Sequence, residues 1–196
     1  MMKTFLMTIA FLISTVVAFA EPLLLPPPEK TGGKPLMEVL NARQTTHQIT
    51  AHAAPTLQQL SSLLWAANGV TRPDGKRTAP SARDHREIEL AVLTAKGLFT
   101  YDPTANTLSL VEVCVSLDKT LGGASACVIL WYKKSEKHTR EYALVDAGFI
   151  GQNMYLFCTS KGWQTVFMGR IDRKSIGVAL DCAEEEVLFA QRVGIQ

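Results

Sequence analysis

Residues 142–161, YALVDAGFIGQNMYLFCTSK, are the stretch on which the fold turns. Leu144, Ala147, Ile150, Gly151, Met154, Phe157 and Cys158 recur at helical spacing, and Gly162 is the residue a helix C-terminus favours. The pattern predicts a helix over Tyr142–Lys161, the longest of the chain. Its apolar face is unusually broad, and Gly148 and Gly151 leave room for another backbone to approach closely. Both features suit a helix buried on more than one side, as at an interface between two copies.

Working outward, Ala124–Tyr132 is apolar almost throughout and reads as a buried strand. Ile88–Thr94 alternates, Leu98–Tyr101 follows Gly97, and Asp102–Asn106 is a turn leading to Leu108–Val113, a hairpin pattern. Beyond the long helix come a strand at Gln164–Met168, a short helix at Arg173–Leu180 and a final strand at Glu186–Val193. Leu57–Asn68 is a second clear helix. Gln59 stands three residues after Thr56, the capping-box spacing, and Gly69 ends it. Leu36–Arg43 is a short helix before it. The sum is an α+β chain with a mostly antiparallel central sheet flanked by helices.

The N-terminal residues 1–20 read as a cleavable secretory signal, with Lys3, an apolar run and Ala18-Phe19-Ala20 before the cut. The run is short for a membrane span and no basic stop-transfer cluster follows, so no membrane anchor is expected after cleavage. The expected destination is the periplasm or the exterior. Residues 21–35 carry five prolines and Gly32-Gly33, and read as an extended arm whose Leu23, Leu24 and Leu25 pack on something. Residues 36–196 form the folded domain. Loss of Lys3 takes the formal charge from +2 to +1, a balance that argues against a nucleic-acid binder.

Four cysteines, Cys114, Cys127, Cys158 and Cys182, allow three disulfide connectivities that the sequence does not separate. Cys127 and Cys158 lie in apolar contexts and read as small core residues. The four histidines show no ligand spacing, and no metal site is expected. Neither a Gly-x-Ser-x-Gly nor a Gly-rich phosphate loop occurs.

Three segments carry candidate chemistry. Arg43-Gln44-Thr45-Thr46-His47 offers a guanidinium, hydroxyls and an imidazole suited to a phosphate and a polar ring edge. Ala79-Pro80-Ser81-Ala82-Arg83-Asp84-His85 lies in a long polar loop, Val70–Arg86, with five basic residues; its small residues let backbone approach a ligand, and Asp84 can accept from ring N–H groups. Phe167-Met168-Gly169-Arg170 is a strand end where Gly169 permits close backbone approach.

In their order and spacing these segments resemble the FMN-dependent nitroreductase family, in particular its azoline (thiazole/oxazole) dehydrogenase-like branch. Arg43-Gln44-Thr45 matches an Arg-Arg-Ser-type motif, Pro80-Ser81-Ala82-Arg83 a Pro-Ser-Ala-Gly-type loop, and Gly97 to Pro103 a Gly-Leu-Tyr-x-Tyr-Asp-Pro run. Asp146-Ala147-Gly148 and Gln152-Asn153 match the long helix, and the likeness runs from about Leu36 to the C-terminus.

The resemblance implies a homodimer with FMN in clefts between the subunits, and a flavin-dependent oxidoreductase passing electrons to a small organic acceptor. Arg43, Gln44 and Thr45 would meet the phosphate and ribityl chain, and His47 the pyrimidine edge. Pro80, Ser81, Ala82, Arg83 and Asp84 would line the flavin from the partner side, with Met168 and Gly169 at its N5 edge. Hydride would come from NAD(P)H or from a substrate, and export leaves both open. The flavin carries the chemistry, so no catalytic side chain is named. The other reading is a non-catalytic protein of this fold that binds a flavin-like or other small ligand. Departures from the pattern are Gln44 for the second Arg, Arg83 for a Gly and Asp84 for an Asn. The chain closes at Gln196 without a C-terminal basic segment, for which Arg192 or a basic residue of the 72–86 loop would substitute.

Overall fold

A computed structural model describes residues 21–112, 117–134 and 139–196. Its centre is a seven-stranded sheet. The strands are β1 (Leu23–Leu24), β2 (Ile88–Thr94), β3 (Gly97–Asp102), β4 (Thr107–Glu112), β5 (Ala126–Tyr132), β6 (Gln164–Met168) and β7 (Val187–Gly194). They lie in the order β1-β4-β3-β2-β5-β7-β6, and every pairing is antiparallel. The expected α+β architecture is therefore the observed one.

Helices cover both faces, which is why β5 reads as a continuous apolar run. On one face Ala126, Val128 and Leu130 meet α2 (Leu57–Asn68) through Leu60, Leu63, Leu64 and Ala67. The same core takes in α4 (Arg140–Lys161) through Ala147, Ile150, Met154 and Cys158. On the other face Cys127 and Ile129 meet Ile176 and Leu180 of α5 (Arg173–Leu180). Two shorter helices, α1 (Leu36–Ala42) and α3 (Asp118–Leu121), lie at the margins. The capping box of α2 is made as expected: Gln59 N donates to Thr56 Oγ1 at 3.2 Å, and Thr56 N to Gln59 Oε1 at 2.8 Å. Gly162 ends α4 in the left-handed conformation, φ 73°.

The Pro-rich arm is fastened to its own chain. Leu23 pairs with Leu108, Leu25 is buried, and Ser61 Oγ donates to the Pro26 carbonyl. Further on, Glu29 N donates to Ser62 Oγ, and the Glu29 carboxylate meets Lys161 Nζ at 2.7 Å. The strand here is two residues long and is created by its partner strand rather than by local propensity.

The cysteine expectations divide. Cys127 and Cys158 are buried free thiols on opposite faces of the sheet, and burial pushes both up to about 12. Cys182 is also free, while Cys114, His138 and the signal segment lie outside the described residues. Among the described residues no helix is long and apolar enough to cross a membrane, and no group of three acidic, His or Cys side chains converges.

Candidate functional site

The predicted site residues fall into two clusters, each attached to α4. The first lies at its C-terminal half. Arg43 is the residue at which α1 ends, and its guanidinium stands 5.3 Å from the centre of the Tyr155 ring. Thr45 Oγ1 and Tyr155 Oη share a hydrogen bond of 3.0 Å. The Phe167 N–H of edge strand β6 donates to the same Tyr155 hydroxyl at 3.0 Å, and Thr46 N donates to the Thr165 carbonyl. One tyrosine thus fastens the Arg43–Thr46 segment to the end of β6. Gln44, Thr45 and His47 are exposed, with Arg43 half-buried.

At the end of β6 the side chains part. Phe167 faces α4, stacks on Phe189 at 4.7 Å and fills the space over Gly151. An added Cβ at Gly151 would lie 2.6 Å from that ring, so the room expected there is taken by the chain's own Phe167. Met168 turns the other way, into the core beneath α5. Gly169 is exposed, and a Cβ added there would meet the Phe189 ring at 3.7 Å, an ordinary contact.

The second cluster is the loop before β2, bound to the N-terminal half of α4. Ala82 N donates to both carboxylate oxygens of buried Asp146, at 3.1 and 3.3 Å. Burial raises the Asp146 pKa above its usual value, against the lowering pull of Ser81, Ala82 N–H and His85. Ser81 Oγ accepts from Arg86 N at 2.8 Å and donates to Glu87 Oε2 at 3.3 Å. Glu87 is itself buried, and its other oxygen has no partner among the described residues. Pro80 is exposed, and Arg83 lies over the Tyr142 ring.

One expectation for this loop needs correction. Asp84 is expected to accept from ring N–H groups. Both its oxygens are instead gripped by Arg86, at 2.8 and 2.6 Å, and that bond holds its carboxyl below the usual range. The loop's basic side chains also tie it to its own backbone. Arg77 donates to the Asn68 carbonyl, Arg86 to that of Gly75, and Val70 bridges to Arg77. Arg83, the residue standing where a Gly is usual, has φ 53°, the left-handed region that glycine enters at no steric cost.

Arg192 is a second correction. Its guanidinium donates to the carbonyls of Thr120 and Lys119, at 2.8 and 2.6 Å. Arg192 lies on the sheet face opposite its neighbours Gln191 and Val193, which face α4, so it does not join Arg43.

Tyr155 and Asp146, the two residues that organise the clusters, were not among the predicted site residues. Asp146 was visible in the Asp-x-Gly match of the long helix, but nothing local marked Tyr155. They stand nine residues apart, about 14 Å along the axis and half a turn round the helix. One chain therefore holds its two clusters on opposite flanks of α4. Between them runs an exposed stripe of Tyr142, Val145, Gly148, Phe149 and Gln152.

The fold and the two clusters define a class, and comparison with known proteins names it. The model of the Nitroreductase family matches residues 40–195, and the chain belongs to that family. A crystal structure from Ralstonia eutropha, named for the same family, is 30% identical, covers 89% of each chain and superposes with a TM-score of 0.80. A protein of Methanocaldococcus jannaschii bearing the nitroreductase name is 28% identical over 79% of this chain and 88% of its own. A crystal structure from Exiguobacterium sibiricum, solved in complex with FMN, has the same fold at 11% identity, with a TM-score of 0.58 over 84% of this chain and 89% of that one.

Proposed function

We propose that the chain is an exported FMN-dependent oxidoreductase that works as a homodimer, moving electrons between a reductant and a small organic acceptor. The observation that carries the reading is the division of the site into two clusters on opposite flanks of α4, with an exposed apolar stripe between them. A second copy laid on that stripe with its long helix crossing the first would bring the Arg43–Thr45 cluster of one chain to the Ser81–Ala82 cluster of the other. The FMN seen in the Exiguobacterium sibiricum relative supports the choice of ligand.

The residues present fit such a group. Arg43 offers a guanidinium without an acidic partner among the described residues, matched to a phosphate. The Tyr155 hydroxyl holds Thr45 beside it, and Gly169 lets backbone come close to a flat ring. FMN, when bound, supplies the ring that takes up and gives out electrons. The chain's own task is then to neutralise the phosphate, fix the ring and exclude water. Asp84 takes no part while Arg86 occupies both its oxygens.

That sequestered Asp84, with left-handed Arg83 beside it, favours a second reading: a non-catalytic member of the fold that binds a small ligand. The two separate in one titration. The first predicts that mature protein acquires the visible flavin absorption, that bound FMN is reduced by NADH or a reducing substrate, and that an acceptor reoxidises it. Binding without any turnover selects the second; unchanged spectrum and melting temperature at saturating FMN exclude the first. Export is tested by the intact mass of the secreted chain, which should begin at Glu21.

A further inference from the structure

On the sheet face away from α4 lies a cavity of about 300 Å³ between α3, the end of β6 and β7. Its walls carry Lys119, Arg170, Arg192 and Asp172, with Met168 and Ile171 as apolar lining. Three cations face one carboxylate, a balance of +2. The carboxylate is already committed. Asp172 caps α5, accepting from Ser175 N at 3.1 Å and from Ser175 Oγ at 2.8 Å, and these bonds hold it below its usual range.

The cations are not committed in the same way. Lys119 and Arg170 are exposed, and neither side chain has an ion pair or a hydrogen bond to a described residue. Arg192 is half-buried and pinned by the Thr120 and Lys119 carbonyls, so its guanidinium is fixed in place before any ligand arrives. Gly122, at φ 57°, makes this possible, because a Cβ there would run into the guanidinium. A preorganised guanidinium with two mobile cations around a concave wall is a site for an anion.

We propose that this cavity binds a phosphate group, free or as a small monoester, separately from the flavin cluster. The balance of +2 matches a phosphate, which carries about −1.5 to −2 near neutral pH. The cavity is at the small end of ligand sites, so the phosphate belongs to a small molecule rather than to a nucleic acid. Arg43 lies with Tyr155 on the α4 side of the sheet, whereas Arg192 lies on the other, so one phosphate does not reach both.

Calorimetric titration of the mature protein with inorganic phosphate and with phenyl phosphate, at fixed ionic strength in chloride, tests the inference. Saturable binding is expected, and Arg170→Gln or Lys119→Gln should weaken it about tenfold, the loss of one charge-assisted bond. Lys174→Gln, an exposed neighbour off the cavity wall, should change it less than about twofold. The phosphate form that binds more tightly identifies the occupant. The same titrations on Arg43→Gln separate this inference from the flavin reading. Phosphate binding that Arg170→Gln weakens is expected to persist in Arg43→Gln, even if FMN does not bind at all. Equal weakening by Lys174→Gln, or loss of phosphate binding in Arg43→Gln, overturns the separate site.

Discussion

Removing one oxygen atom, by Tyr155→Phe, tests how the first cluster is built. The ring stays, so its contact with Arg43 and its packing are kept. Two hydrogen bonds go: the one from Phe167 N–H and the one shared with Thr45 Oγ1. The Phe167 N–H is half-buried on an edge strand, and leaving it unpaired costs about 1 kcal/mol, the low end of the usual range. The Thr45 bond is exposed and adds about 0.5 kcal/mol. For a chain of this size a loss near 1.5 kcal/mol lowers Tm by about 3–6 °C. Thr45 also loses its anchor, and FMN affinity should fall about tenfold, the equivalent of one lost charge-assisted bond.

The assay is thermal melting beside a fluorescence titration with FMN, on Tyr155→Phe, Thr45→Ala and the double variant. If Tyr155 acts through Thr45, the double variant binds FMN no worse than Thr45→Ala alone. An unchanged Tm with unchanged FMN affinity refutes the reasoning, as do losses of affinity that simply add.

Three further outcomes are expected. Gly151→Ala should lower Tm, because a Cβ placed 2.6 Å from the Phe167 ring overpacks the site by about 1–3 kcal/mol, more than the helix gains from alanine. Asp146→Asn keeps an acceptor for Ala82 N–H but removes a carboxyl whose folded pKa is raised. The native state holds that proton over the window from the ordinary 3.8 up to the raised value, so wild-type stability from this group falls as pH rises through it. Melting curves should therefore show the Asn variant gaining on the wild type as pH rises across that window and holding the gain above it. Val145→Glu, on the exposed stripe, should yield a folded monomer by sedimentation with near-normal Tm and lost FMN retention.

Much of the fold was legible because its signals are local. Leu57–Asn68, Gln164–Met168 and Arg173–Leu180 have the bounds that periodicity and caps predict, and the long helix begins only two residues earlier, at Arg140. Strand β1 was not legible, since two residues become a strand only by meeting Leu108 and Thr107. The site was legible in part. Ser81 and Ala82 do gather on α4, but the Asp84–Arg86 grip and the left-handed Arg83 depend on how the loop folds, not on composition. Tyr155 was hidden for another reason. A tyrosine on a helix looks like core or surface until the edge strand whose N–H it accepts is in place. The division of the site across two flanks of α4 emerges only once both clusters are anchored.

The most direct test of the central claim measures flavin content and mass on one sample. Mature chain is saturated with FMN, freed of excess by gel filtration, and sedimented with detection at the flavin absorption band. The account predicts one FMN per chain, travelling with a species of twice the chain mass. A monomer that retains flavin, or a dimer that retains none, would contradict it.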